Sequence, residues 1–365
     1  MSRPLSVVIA GGGTGGHLFP GIAVAKTLVA RRPGARVAFA GTARGLEARV
    51  VPQEGFDLDL IRSAGLKGKS VGARLRGLAM LPLGAVDAWR LLSRRRPDVV
   101  VGVGGYSSGP VVLLAALRGV ATMVLEQNAV PGLTNRWLAP FVRAAAVTYP
   151  ETLRYFRGRG VVAGNPVRPE FLAPVPPVAR REGSPTLLIL GGSQGAQAIN
   201  AAMADAAVDL AARLPSLQIV HQAGARDVDR LEAAYTASGL SARVVPFLDA
   251  MADHMRTATV VLSRAGATTL AELAAVGTAA ILVPLPTATD DHQRRNADVF
   301  VQAGAAVVIE QASLSAPEGR RHLIESIASI VDDPARRDGM AARARTLARP
   351  DAAETIVGRL LELAA

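Results

Sequence analysis

Leu5-Ser6-Val7-Val8-Ile9-Ala10 runs straight into Gly11-Gly12-Gly13-Thr14-Gly15-Gly16-His17. The same design returns at Thr186-Leu187-Leu188-Ile189-Leu190, followed by Gly191-Gly192-Ser193-Gln194-Gly195. In both places an apolar, β-rich run meets a glycine turn that opens a helical stretch, which is how a βαβ unit begins. A glycine turn at a helix start leaves backbone N–H groups pointing outward, and these groups and the helix dipole attract phosphate. Neither turn is followed by the Lys-Ser/Thr of a nucleotide-triphosphate loop. Gly11, Gly13 and Gly16 keep the spacing of a dinucleotide fingerprint, but the second run, 36–40, passes into Gly41-Thr42 rather than an acid, so a nicotinamide cofactor is not expected.

Working outward, short strands alternate with helices through both halves. The first half predicts strands at 5–10, 36–40, 99–103, 122–125 and 144–148, with helices such as 16–30 and 111–118. The second predicts strands at 186–190, 217–221, 243–245, 259–262, 279–283 and 306–309, with helices at 196–214, 267–276 and 291–302. This pattern makes two α/β halves, each a doubly wound parallel sheet. Residues 164–183, with Pro166, Pro169, Pro174, Pro176 and Pro177, read as the linker between them. Ligands of such sheets bind at the carboxyl ends of the strands, so both glycine turns are expected to line a cleft between domains.

Composition narrows the chemistry. The chain has 365 residues, enough for two domains, and no cysteine, which excludes disulfides, thiolate metal sites and thiol catalysis. Residues 99–117 are uncharged, but five glycines and prolines break them into a strand, a turn and a helix rather than a membrane span. The net charge of +11 is unevenly spread: residues 1–165 hold 22 Lys/Arg against 8 Asp/Glu, and residues 166–365 hold 19 against 22. Lys67, Lys69, Arg74, Arg76, Arg90, Arg94, Arg95 and Arg96 cluster among Leu75, Leu78, Leu83, Trp89 and other apolar residues. Two readings fit this cluster, an anionic membrane surface or a solvated basic helix face. Aromatic residues are only 4% and form no stacking platform, so nucleic acid is not an expected partner.

Several side chains fall at strand ends, where ligands bind. His17, at the lip of the first turn, is either a packed helix-terminal histidine or a general base. Residues 104–110 and Glu126-Gln127-Asn128 follow two further strands. Arg168 suits a diphosphate or a surface ion pair. Ser263-Arg264-Ala265-Gly266-Ala267 is a small-residue turn into a helix carrying Glu272, a carboxylate suited to ribose hydroxyls. Thr289-Asp290-Asp291-His292-Gln293 opens a helix either as a cap or as a presentation of Gln293 to a sugar. Its adjacent acids point apart on a helix, so no metal site is expected.

Taken together, Gly12–17 with Phe19-Pro20-Gly21, Gly104-Gly105-Tyr106 with Ser108-Gly109-Pro110, Glu126-Gln127-Asn128, Gly164-Asn165-Pro166-Val167-Arg168, Gly191-Gly192-Ser193-Gln194-Gly195-Ala196, Arg264-Ala265-Gly266-Ala267 with Glu272, and His292-Gln293 with Asn296-Ala297 resemble the MurG glycosyltransferase family over nearly the whole chain. The resemblance implies a GT-B fold of two Rossmann-like domains, with 1–165 plus 348–365 as the lipid I and membrane-facing domain and 166–347 as the UDP-sugar domain. The helix at 351–363 would return to the first domain. It implies an inverting, metal-independent transfer of N-acetylglucosamine from UDP-N-acetylglucosamine to the muramic acid 4-hydroxyl of lipid I, giving lipid II and UDP in peptidoglycan synthesis, with no cofactor. The enzyme would sit peripherally on the cytoplasmic side of the cell membrane, with the region from Lys67 to Arg96 against the anionic leaflet. By position, Thr14, Gly15 and Gly16 meet the substrates near the reacting centre and His17 is the base. Asn128 contacts the donor sugar, and Arg168 and Ser193 meet the diphosphate or ribose. Leu248 reads uracil through its backbone, while Ala267, Thr268, Thr269, Leu270 and Ala271 approach phosphates and ribose. Glu272 holds the ribose hydroxyls and Gln293 the sugar. Rival readings are a diacylglycerol glycosyltransferase, a sugar-nucleotide 2-epimerase, for which only Glu126 and Glu272 offer carboxylates, and a non-catalytic membrane scaffold.

Overall fold

A computed structural model describes residues 3–63, 71–173, 183–191 and 195–365, without the side chains of residues 71–79, Leu81 and Thr289. The chain divides into two compact units, residues 1–168 with 349–365, and residues 169–348.

Unit 1 runs β1 (Ser6–Gly11), α1 (Gly15–Arg31), β2 (Arg36–Gly41), α2 (Glu47–Gln53), β3 (Asp57–Leu60), α3 (Val71–Arg95), β4 (Val99–Gly104), α4 (Ser108–Leu117), β5 (Ala121–Glu126), α5 (Leu133–Leu138), β6 (Ala144–Val147) and β7 (Gly160–Val162). Its seven strands lie in the order β3-β2-β1-β4-β5-β6-β7, all parallel. Both faces are covered. Val7, Ile9, Val101 and Met123 join Leu18, Ile22, Ile356 and Leu360 on one side, and Val8, Val100, Val112 and Val124 join Leu91, Leu92 and Phe156 on the other. Two covered faces explain why these strands are continuous apolar runs rather than alternating ones.

Unit 2 runs α6 (Pro169–Leu172), β8 (Thr186–Leu190), α7 (Gln197–Asp205), α8 (Ala207–Arg213), β9 (Gln218–Gln222), α9 (Val228–Ser238), β10 (Ser241–Val245), α10 (Met251–Thr257), β11 (Val260–Ser263), α11 (Ala267–Val276), β12 (Ala280–Leu282), α12 (His292–Gln302), β13 (Ala306–Val308), α13 (Pro317–Val331) and α14 (Pro334–Thr346). The strand order is β10-β9-β8-β11-β12-β13, again all parallel. The final helix, α15 (Ala352–Ala364), belongs to unit 1 and packs on α1 through Ile356, Val357 and Leu360, all fully buried.

The predicted strands are present, and two more appear, β3 and β7, at the edges of the first sheet. The helix expected over 196–214 is two, α7 and α8, meeting at Ala206 with φ −87° and ψ −7°. The helix expected from 111 starts at Ser108. Pro110 is accommodated in the first turn, where an N–H has no intrahelical acceptor. Of the expected linker, residues 174–182 lie outside the described residues, and 169–172 form α6 with Phe171 buried.

In both sheets the winding reverses direction beside the first strand, between β1 and β4 and between β8 and β11. These are the switch points where open α/β sheets bind ligands. The glycine turn after β1 stands at the first of them, and Gly191, directly after β8, at the second.

Candidate active site

In unit 1 the turn after β1 places Gly13 and Thr14 at the surface, Gly15 and Gly16 half-buried, and His17 as the third residue of α1. Thr14 is the N-cap of α1, with extended backbone and no side-chain capping bond. The turn is held from below by Glu47, which is fully buried at the start of α2. Its carboxylate accepts from Gly13 N (2.7 Å), Thr42 N (2.8 Å) and Thr42 Oγ1 (2.9 Å). Gly12 has φ +142°, and a Cβ there would lie 2.5 Å from the Glu47 carboxyl carbon, so only glycine lets the turn close over this acid. Glu47 was missed by sequence reasoning. No acid ends the second strand; the acid that reaches the turn stands on the following helix, α2.

His17 lies against the end of β4. A Cβ on Gly104, whose φ is +99°, would sit 2.6 Å from His17 Nδ1, so that glycine makes room for the ring. On its other side Nδ1 is 3.3 Å from Gln127 Oε1, and Gln127 Nε2 donates to Val103 O at 3.1 Å. Asn128, the next residue, is half-buried at the end of β5. Glu126 is buried and accepts from Asn128 N (3.0 Å), Asn128 Nδ2 (3.2 Å), Gly132 N (3.1 Å) and Asn135 Nδ2 (2.8 Å). Burial raises the pKa of this carboxyl, and the donated bonds act against that rise. Glu126 therefore serves as the scaffold of the Asn128 loop. Arg168, the last residue of unit 1, lays its guanidinium over Phe19 of α1, 4.7 Å from the ring centre. The structure thus brings Thr14, Gly15, Gly16, His17, Asn128 and Arg168 into one unit, clustered on α1 and the ends of β1, β4 and β5.

In unit 2, Ser193 lies outside the described residues. Leu248 is buried in the loop before α10, next to the exposed Phe247. Gly266 caps α11, and Ala267, Thr268, Thr269, Leu270, Ala271 and Glu272 form its first turns. Thr268, Thr269 and Ala271 are half-buried. Leu270 is fully buried and its N–H donates to Gly266 O at 3.0 Å, so that residue packs inward. Glu272 is buried within the same helix. Gln293, on α12, accepts from Leu285 N at 3.0 Å through Oε1, and Asn296 Nδ2 reaches Ala265 O at 3.4 Å. These two bonds tie α12 to the loops after β12 and β11. Arg264 donates to Val283 O at 3.1 Å, and burial lowers its pKa. Arg294, which follows Gln293, is ion-paired with Asp298 and Glu310. Asp290 and Asp291 are exposed and left-handed, with φ +53° and +55°. Among the described residues no three His, Asp or Glu side chains gather where they would hold a metal ion.

Of the basic cluster, Lys67 and Lys69 lie outside the described residues, as do the side chains of Arg74 and Arg76. Arg95 is paired with Asp57 and Asp59 (both 2.7 Å), and Arg94 with Asp59. Arg90 and Arg96 are exposed. On the same helix Leu83, Val86 and Trp89 are exposed, Trp89 by 54%, with Arg118, at the end of α4, stacked 4.5 Å over the Trp89 ring. No described helix is long and apolar enough to cross a membrane.

The two doubly wound parallel-sheet units coincide with the two domains of a glycosyltransferase. The glycosyltransferase family 28 N-terminal domain matches residues 7–147 and the glycosyltransferase family 28 C-terminal domain matches residues 186–356. The chain belongs to the family of UDP-N-acetylglucosamine--N-acetylmuramyl-(pentapeptide) pyrophosphoryl-undecaprenol N-acetylglucosamine transferases. It is 47% identical to the transferase of that name from Anaeromyxobacter sp. (strain K), over 98% of this chain and 93% of that one. It is 43% identical to the one from Geobacter sulfurreducens, over 98% of each chain. A crystal structure of Acinetobacter baumannii MurG superposes with a TM-score of 0.76 at 30% identity, covering 98% of this chain and all of that one.

Proposed function

We propose that this protein transfers N-acetylglucosamine from UDP-N-acetylglucosamine to the muramic acid 4-hydroxyl of lipid I, forming lipid II and UDP. The observation that carries the proposal is the near full-length likeness to transferases of that name. The bond from the sugar C1 to the UDP β-phosphate oxygen breaks, a bond from C1 to the acceptor oxygen forms with inversion, and the acceptor proton passes to a base. His17 is that base. It stands at the first glycine turn, where Thr14, Gly15 and Gly16 offer a helix N-terminus to the acceptor diphosphate.

Unit 1 is the acceptor domain and unit 2 the donor domain. Asn128 contacts the donor sugar from a loop that Glu126 holds in shape. Arg168, its guanidinium oriented by Phe19, and Ser193 meet the diphosphate or ribose. The Leu248 backbone reads uracil. Ala267, Thr268, Thr269, Leu270 and Ala271 bring the N-terminal turns of α11 to the phosphates and ribose, with Leu270 contributing packing. Glu272 holds the ribose hydroxyls and Gln293 orients the sugar. Charge growing on the leaving β-phosphate is stabilised by the arginine and helix N-termini, without a divalent ion.

The acceptor is a polyprenyl lipid, so the protein works peripherally at the cytoplasmic face of the cell membrane. The face bearing Leu83, Val86, Trp89, Arg90 and Arg118 meets the anionic leaflet, the aromatic and aliphatic groups entering the interface and each nearby cation adding about 1 kcal/mol.

The test is transfer of labelled N-acetylglucosamine to a short-chain lipid I analogue in excess EDTA, by wild type and His17→Ala. Transfer by wild type, and its loss in the variant with UDP binding intact, is the expected result. UDP binding without transfer to the analogue refutes the acceptor assignment, and a fully active variant refutes the base.

A further inference from the structure

We propose that Gln127 is a positioning residue that locks His17 in the tautomer protonated on Nδ1, leaving Nε2 as the basic nitrogen. Gln127 is 3% exposed, at the end of β5, and its Nε2 donates to the carbonyl of Val103 on the neighbouring strand β4. A backbone carbonyl accepts and never donates, so this bond decides which end of the amide is nitrogen. The end 3.3 Å from His17 Nδ1 is then the carbonyl oxygen Oε1. That oxygen also only accepts, so the hydrogen between the two groups belongs to Nδ1. In a neutral imidazole, one protonated nitrogen makes the other the acceptor.

Two further features hold the ring in this register. Gly104 lacks a Cβ, which would lie 2.6 Å from Nδ1, so the ring fits against the end of β4 beside its amide partner. His17 is also the third residue of α1, so the first turn of the helix fixes the backbone from which the ring projects. A carboxylate in the place of Gln127 would draw the ring toward the charged form. An uncharged amide orients it and leaves it able to take a proton.

The catalytic meaning of this lock rests on His17 as base, and the experiment separates the two. Full-length protein labelled with 15N-histidine is followed by long-range 1H–15N correlation, with His17 assigned by its absence in His17→Ala; the chain has only five histidines. Wild type is expected to show a pyrrole-type Nδ1 and a pyridine-type Nε2 for His17. A wild-type ring protonated on Nε2 overturns the proposal with no variant needed. Gln127→Met keeps the volume and removes both amide bonds. It is expected to lose the Nδ1–H signature and to lower kcat about 10- to 100-fold, part of the 10²–10⁴ a positioned base provides, with the donor KM little changed. Gln127→Glu restores an acceptor and is expected to return the hydrogen to Nδ1, with the ring drawn toward imidazolium. A Gln127→Met ring that keeps its Nδ1 hydrogen overturns the lock. A ring that loses it while kcat stays at the wild-type value overturns the catalytic purpose of the lock, whereas the base assignment is overturned separately, by a His17→Ala variant that keeps full transfer activity.

Discussion

Replacing His221 with glutamine should flatten the acid side of the stability profile of unit 2. His221 is fully buried on β9, in a chain of polar groups running behind the second glycine turn. Asn200 Nδ2 donates to Ala223 O and to Asp227 Oδ2, both at 2.8 Å, so Asn200 Oδ1 is the acceptor facing His221 Nε2 at 3.1 Å. Nε2 therefore carries the hydrogen, and Nδ1 accepts from Tyr235 Oη at 2.9 Å. Burial brings the His221 pKa down from 6.5 to about 3. A base with a depressed pKa binds fewer protons folded than unfolded throughout the interval between the two values. Its contribution to stability is whole above the unfolded pKa and is lost as pH falls from about 6.5 toward 3. Integrated over that interval, the loss is about 2 kcal/mol between pH 7 and pH 5 and about 3 kcal/mol by pH 4, with a limiting slope of about 1.4 kcal/mol per pH unit. Glutamine offers a donor toward Asn200 and an acceptor toward Tyr235 but does not titrate. His254, partly exposed, is shifted in the same direction, and Asp227 is lowered and titrates further down; both remain in the variant and drop out of the difference. Urea unfolding of wild type and His221→Gln at pH 7, 6 and 5 reads the effect as a difference in slope, whatever the variant costs at pH 7. Stability curves that run parallel to within about 0.5 kcal/mol across this range would refute the reasoning, because they would mean that His221 takes up its proton in place.

Three further outcomes follow from the same kind of accounting. Glu47→Gln puts an amide NH2 where one carboxylate oxygen now accepts, leaving either Gly13 N–H or Thr42 facing a donor; unit 1 should lose about 1–3 kcal/mol. Calorimetry should then show a Tm lower by about 2–12 °C, and an unchanged Tm would exclude Glu47 as the support of the turn. Leu360→Ala in α15 empties a fully buried position against α1 and should cost about 2–5 kcal/mol by denaturant titration, whereas a cost below about 1 kcal/mol would mean that α15 is loosely docked. Trp89→Ser combined with Arg90→Ala should weaken binding to anionic vesicles by about tenfold or more at low salt and leave UDP binding unchanged; equal partitioning of variant and wild type would move the membrane contact elsewhere.

The legible parts of the fold were those with a local signature. β1, β4, β5 and β8 are buried on both faces, so each appears as a mainly apolar run, closed by glycine after β1, β4 and β8 and by Glu126-Gln127-Asn128 at the end of β5. β3 and β7 carry no such run. Asp57 and Asp59 alternate with leucines at one sheet edge, and their carboxylates are answered by Arg94 and Arg95 from α3. Gly160–Val162 is three half-buried residues at the other edge. At the site, the glycine turns, His17 and the Glu126-Gln127-Asn128 segment stood out because small residues and strand ends mark them. What they lean on did not. Glu47 meets Gly13 across 34 residues and Gln127 meets His17 across 110, and no spacing rule relates positions so far apart.

These distant contacts share one physical role. A glycine turn provides N–H groups for phosphate because it has no side chains, and for the same reason it has almost nothing with which to hold its own shape. In unit 1 the shape is imposed from outside by the Glu47 carboxylate under Gly13 and by the Gln127 amide against His17. In unit 2 Asn200 holds the carbonyl of Ala223 against Gly195, where a Cβ would clash with that oxygen, and is itself held by His221 and Asp227. Each prop is a polar group with its bonds made inside the protein, so its removal costs more than one contact: it leaves the partners unpaired in a dry site. Substitutions at Glu47, Gln127 and Asn200 should therefore act on turnover more than their distance from the reacting atoms suggests, and on a wholly apolar replacement such as Leu360→Ala the loss should fall on stability instead. Measuring kcat and unfolding free energy on the same set of variants separates the two behaviours, and a common dependence of both on buried volume alone would contradict the view that the turns are shaped by these polar props.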